Sequence, residues 1–134
     1  MLQEAAESFA ALFAEIAEHD GPVILHCMAG KDRTGMASAL LLSLLGVERQ
    51  TVLDDYELTA QFRSHEHAPE VVELFVGLGI SRPAAEGLMG APRWAMNQAL
   101  GELDARHGNV ENYLCAVGGL SPDAIQRLRQ RLLL

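Results

Sequence analysis

His26-Cys27-Met28-Ala29-Gly30-Lys31-Asp32-Arg33-Thr34-Gly35 gathers a thiol, a glycine-containing loop and a guanidinium within ten residues, and the reading of this stretch decides the fold. Before it, Pro22-Val23-Ile24-Leu25 is a short apolar run opened by Gly21-Pro22, the pattern of a buried strand. After it, Met36 to Leu45 is apolar nearly all round, the pattern of a buried helix closed by Gly46. The ten residues therefore occupy a strand-to-helix crossing. There the first amides of the helix lack partners within it, and with the positive end of the helix dipole they form an anion site.

Cys27 and Arg33 are six positions apart, so a loop that turns back on itself brings the guanidinium over the anion that the sulfur faces. Arginine presents a planar fork of donors matched to two phosphoryl oxygens. The same field favours a thiolate, because a cysteine at a helix N-terminus beside a cation drops from about 8.5 to about 3.5–7.5 in pKa. Cys27 is thus the candidate nucleophile, with Thr34 placed to donate its hydroxyl to the sulfur. Gly30 allows close approach of the backbone to a ligand. Met28, Ala29, Gly30, Lys31, Asp32, Arg33 and Thr34 form the candidate phosphate-binding loop. His26 supports it.

The stretch resembles the His-Cys-(five residues)-Arg-Thr signature of the cysteine-dependent protein tyrosine phosphatases. Its Ala29-Gly30-Lys31-Asp32-Arg33-Thr34-Gly35 version is similar to the bacterial branch that acts on phosphotyrosine and, in some members, on phosphoserine, phosphothreonine or phosphoinositides. The resemblance implies an enzyme that forms a phosphocysteine at Cys27, with Arg33 holding the phosphoryl oxygens and with no metal or other cofactor. It also implies that the Lys31 and Asp32 side chains reach the substrate. Asp32 is the one acid in the loop and a candidate catalytic group, either assisting proton transfer or bracing Arg33; the resemblance also implies that the acid which protonates the leaving oxygen stands ahead of this stretch, and none is found for that role here.

Other readings of the loop compare as follows. A nucleotide-binding P-loop needs a glycine where Leu25 stands and a Ser or Thr where Asp32 stands, so that reading fails. A sulfurtransferase also carries a cysteine in an anion loop, but the Arg33-Thr34-Gly35 ending resembles the phosphatases more closely. A buried structural cysteine beside an unrelated arginine is the bland alternative.

At 134 residues the chain reads as a single domain over 1–134, 49% hydrophobic and 21% charged. A net charge of −8 argues against nucleic acid and against broad attraction to an anionic membrane, so attraction of an anionic substrate must be local. No apolar run has the length of a membrane span, and no secretory leader is visible. Two distant cysteines do not make a disulfide framework, and a catalytic thiol favours a reducing compartment, which points to the cytoplasm. Of ten basic residues nine are arginine, so the single lysine, Lys31, falls inside the anion loop.

Elsewhere the chain reads as helices. Leu2 to His19 is amphipathic through Phe9, Leu12, Phe13 and Ile16. Gln50 to Phe62 carries Val52, Tyr56 and Phe62 inward, with Thr51 as cap and Asp54 and Asp55 as a solvated start. Arg63 to Pro69 is a polar connection whose His65-Glu66-His67 lacks the spacing of a helical metal site. Pro69 to Leu78 and Arg82 to Met89 are short and glycine-punctuated; the family resemblance implies a lid over the site, and plain core packing is the alternative. A longer helix follows Gly90-Ala91-Pro92 and runs through Arg106, with Trp94 expected in the core. His107-Gly108-Asn109 ends it and caps the next short helix, Val110 to Val117, which carries Cys115, expected as a small buried hydrophobe. Ser121-Pro122 opens a final helix with Ile125, Leu128, Leu132 and Leu133 on one side.

The resemblance covers nearly all of this chain but only about the latter half of a family domain. The expected fold is therefore mostly α: the C-terminal portion of an α/β tyrosine-phosphatase fold, with one strand leading into the phosphate loop and a helical bundle and lid. The sheet would be completed by a preceding segment or a second chain, or would have been lost. Val71 to Val76 is the only other stretch that could form a strand. The partner implied is a phosphorylated protein or peptide, with a phosphoinositide as alternative, and the competing class is a phosphate-binding module without turnover.

Overall fold

A computed structural model describes residues 2–62 and 68–133, with side chains described over 5–59 and 69–133. The described residues form eight helices: α1 (Leu2–Glu18), α2 (Asp32–Leu44), α3 (Arg49–Phe62), α4 (Ala68–Gly77), α5 (Arg82–Met89), α6 (Arg93–His107), α7 (Val110–Ala116) and α8 (Pro122–Leu132). The His65-Glu66-His67 stretch lies outside the described residues.

Helix α2 is the apolar centre. Met36, Ala37, Ala39, Leu40 and Leu44 are buried along it, and it packs against α3 and α7. Helix α1 lies against α7 and α8 through Phe13 and Ile16, while α6 bridges α3 and α7. One core joins Phe13, Leu40, Leu100, Tyr113, Leu114 and Leu128. Each such side chain gains about 1.5–3 kcal/mol from leaving water.

Several helix boundaries follow from the sequence as read. Gly108, at φ 84°, stops α6, and the Asn109 side chain accepts from the Asn112 amide at 2.7 Å to start α7. Ser121 accepts from the Ala124 amide at 3.2 Å and Pro122 takes the first turn of α8. Helix α2 begins at Asp32 rather than Met36, which draws Asp32, Arg33 and Thr34 into its first turn.

Five expectations are corrected. Residues 22–27 are extended but unpaired among the described residues, and Val23 and Ile24 are exposed, with 87% of Ile24 open to solvent. With no neighbouring strand to meet its amides, this backbone stays at the surface, where water can meet them. Val71 to Val76, the other stretch that could have formed a strand, is helical within α4, in keeping with the reading of Pro69 to Leu78 as a helical segment. Thr51 lies inside α3, which starts at Arg49. Trp94 is 68% exposed rather than in the core. Leu132, at the end of α8, and Leu133, its cap, are exposed. Cys115 is half-buried against the core, and burial pushes its thiol up, with Glu111 adding to the effect.

Helix α8 is fastened by arginines rather than only by apolar packing. Arg131 donates to the Ile16 carbonyl at 2.8 Å and to the Gly21 carbonyl, so it holds the chain where α1 hands over to the extended segment. Arg129 donates to the Leu44 carbonyl at 3.1 Å and pairs with Glu111 at 2.7 Å, which ties the end of α2 to α7. Arg93 pairs with Asp54 and joins α6 to α3, so Asp54 is not merely a solvated helix start.

The site end of α2 sits very close to α3. A Cβ on Gly35 would lie 2.6 Å from the ring of Tyr56, which is buried. Gly35→Ala should therefore force the ring aside and destabilise the fold by about 1–3 kcal/mol, read as a lower urea midpoint with an unchanged slope. An unchanged midpoint would show that the two helices do not touch there.

Candidate functional site

The loop runs from the end of the extended segment into the first turn of α2. Gly30 sits at φ 62°, a left-handed conformation that a side chain would strain, and it turns the backbone back towards Cys27. Lys31 is the cap residue of α2, and its carbonyl accepts from the Gly35 amide at 2.7 Å. The amides of Asp32, Arg33 and Thr34 belong to the first turn and have no partner inside the helix.

Cys27 is half-buried at the base of this arrangement. Its thiol pKa is lowered from 9.0 to about 6, chiefly by the Thr34 hydroxyl and amide against an opposing push from burial, with lesser help from the amides of Ala29 and Gly30. The Thr34 hydroxyl is buried with no hydrogen-bond partner, and it acts on the sulfur as a close dipole. At neutral pH Cys27 is mainly thiolate, the nucleophilic form.

Arg33 is exposed in the first turn of α2, as is His26 at the end of the extended segment. Of the helix amides, the Thr34 hydroxyl and the cation that the sequence places around the sulfur, Thr34 and the loop amides are the groups that lower its pKa. Met28 is 94% exposed, so it contributes to the loop through its backbone. Asp32 is exposed and lies 3.3 Å from the Lys31 ammonium. Its charge also reaches Tyr56, whose phenol is pushed up by burial and then by that carboxylate.

Lys31 departs most from its expected orientation. It is 5% exposed, and its ammonium donates to the carbonyls of Leu88 at 2.6 Å and Gly90 at 2.8 Å. Its side chain is thus engaged with the end of α5 instead of extending from the loop towards a substrate. Nothing in the residue order around Lys31 points to those carbonyls, which lie 57 and 59 positions away.

A cavity of about 380 Å³ lies elsewhere, lined by Met36, Trp94, Gln98, Glu102, Arg106 and Tyr113 among others. None of the loop residues from His26 to Thr34 lines it.

The residues at this crossing are those of a known family, whose sequence model matches residues 1–134 under the description Tyrosine phosphatase family. The chain belongs to the tyrosine phosphatase family. It is 34% identical over 129 residues to a tyrosine-protein phosphatase of Nostoc commune, covering 92% of this chain and 44% of that protein. It is 33% identical over 108 residues to a putative tyrosine-protein phosphatase of Cupriavidus necator, covering 81% and 39% respectively. It is also 32% identical over 127 residues to the triple specificity protein phosphatase PtpB of Mycobacterium tuberculosis, covering 84% of this chain and 44% of that one. The chain thus spans less than half the length of these relatives. No helix among the described residues is long and apolar enough to cross a membrane.

The lowered thiol is directly measurable. Alkylation of Cys27 by iodoacetamide, followed by peptide mass analysis, should rise with a midpoint near pH 6. Thr34→Ala should move that midpoint upward. The sign for stability follows: the folded pKa lies below the unfolded value, so the thiolate's stabilising contribution is complete above about pH 9 and fades as pH falls through about 6.

Proposed function

We propose that this protein hydrolyses phosphate monoesters, with phosphotyrosine in proteins as its principal substrate, through a covalent intermediate on Cys27. The observation that carries the reading is the Cys27 thiol held near 6 by Thr34 and the loop amides at the N-terminus of α2. The thiolate attacks phosphorus, the phosphorus–oxygen bond to the leaving group breaks, and a phosphocysteine forms. The loop amides and Arg33 hold the equatorial oxygens, where the extra charge of the transition state is spread. Water then attacks the phosphocysteine, releasing phosphate and regenerating the thiolate. Arg33 and the amides supply the positive charge of the cradle. Asp32, exposed beside Lys31, is the carboxyl within the loop that we assign to the leaving group's proton.

The names of the relatives support phosphotyrosine, and the triple specificity of PtpB is said of that protein alone. A doubly phosphorylated lipid headgroup would draw on a free Lys31 ammonium. With that ammonium on the α5 carbonyls, the balance shifts towards a singly phosphorylated side chain. Helices α4 and α5 lie outside the main core with Leu74, Leu78 and Leu88 exposed, which supports a covering role over the substrate. The exposed, unpaired backbone of residues 22–27 supports pairing with a further strand in the complete protein. A working thiolate also favours a reducing location such as the cytoplasm.

Cys27→Ser in the complete protein should reduce hydrolysis of a phosphotyrosine peptide by at least about 10⁴-fold, in line with loss of a nucleophile that acts as part of a unit, while binding of inorganic phosphate persists. Undiminished turnover by that variant would falsify the scheme. Phosphate binding without turnover in the unaltered protein would instead identify a binding module.

A further inference from the structure

Lys31 is the one buried charged side chain among the described residues. An ammonium leaves water at high cost unless its protons are met. Here the ammonium donates to the Leu88 carbonyl at 2.6 Å and the Gly90 carbonyl at 2.8 Å, and an Asp32 carboxylate oxygen at 3.3 Å pairs with its charge. The two carbonyls belong to the last turn and cap of α5, where such groups lack helical partners and a cation is favoured by the dipole.

Helices α4 and α5 pack chiefly on each other. Val72 and Ala85 are buried within this hairpin but outside the main core, while Leu74 is 61% and Leu78 71% exposed. Apolar burial therefore holds this hairpin to the body less firmly than it holds the other helices. The other end of the same connection is the cradle, because Lys31 caps α2 and directly follows Gly30, whose surroundings are open. One residue thus has its side chain fixed in the hairpin and its backbone in the loop.

We propose that Lys31 is a positioning residue that couples the α4–α5 hairpin to the phosphate loop, so that anion binding at the loop and docking of the hairpin reinforce each other. This rests on the reading of the loop as an anion cradle. It assigns the ammonium to the hairpin and not to the substrate. Release of the hairpin frees the Lys31 backbone and loosens the first amides of α2; a bound phosphate that orders those amides holds Lys31 and, through it, the end of α5. The coupling is reciprocal, as any linkage between two binding equilibria must be.

Amide hydrogen exchange on this chain tests the proposal, using the unaltered protein, Lys31→Met and Lys31→Arg, each with and without saturating inorganic phosphate. Methionine keeps the length of the side chain and removes its donors. In Lys31→Met, residues 69–91 should exchange at least about tenfold faster than in the unaltered protein while α1 and α8 keep their protection. Phosphate should slow exchange in both the loop and the hairpin of the unaltered protein, but only in the loop of Lys31→Met. Hairpin exchange within about twofold of the unaltered protein in Lys31→Met overturns the proposal. So does equal protection of the hairpin by phosphate in both proteins. If Lys31→Met loses protection in α1 and α8 as well, Lys31→Arg decides, since it keeps long-reaching donors: a protected hairpin supports the coupling, and a fast one on an intact body refutes it. Should phosphate protect nothing in the unaltered protein, the cradle reading fails, and the phosphate-free comparison still decides whether Lys31 holds the hairpin.

Discussion

The burial of α2 is the constraint on which the rest of the structure depends. Leu40 and Leu44 are essentially inaccessible, and the helix packs against both α3 and α7, so its axis has no freedom to turn. A helix held in this way presents its unpaired first amides in a fixed direction without any side chain having to aim them. The acidity of Cys27 is then a consequence of packing: the sulfur lies where Thr34 and the amides of the turn point, and the anion is favoured there. The direction of these donors is thus preorganised by a hydrophobic core that lies away from the loop itself.

Much of the site was legible in the residue order because the features that make it are local. A thiol, a left-handed glycine, a cap and an apolar helix all lie within about twenty consecutive residues, and each obeys short-range rules. The caps at Asn109 and Ser121 were legible for the same reason, since each side chain reaches an amide only three positions on. Helix α2 nevertheless began one turn earlier than its apolar pattern, because Asp32, Arg33 and Thr34 are polar and give no signal in a hydrophobic periodicity.

What the order of residues concealed depends on distant partners. Pro22-Val23-Ile24-Leu25 has the composition of a buried strand, yet Ile24 is exposed, because composition specifies what a segment prefers and not whether a neighbour is there to satisfy it. Lys31 looked like a ligand for phosphate because it stands in the loop. Its acceptors are main-chain oxygens, which every residue carries and which therefore leave no mark in a sequence. Trp94 is a similar case: a large apolar ring suggests the core, but it stands exposed near the start of α6.

The hold of Arg131 on the Gly21 carbonyl has a bearing on how the protein is made. That bond joins positions 110 residues apart, so it cannot form until α8 has left the ribosome and docked. The anchoring of the segment that delivers the sulfur therefore waits on residues far along the chain, whereas the turn that acidifies Cys27 is set by neighbours within seven positions of it.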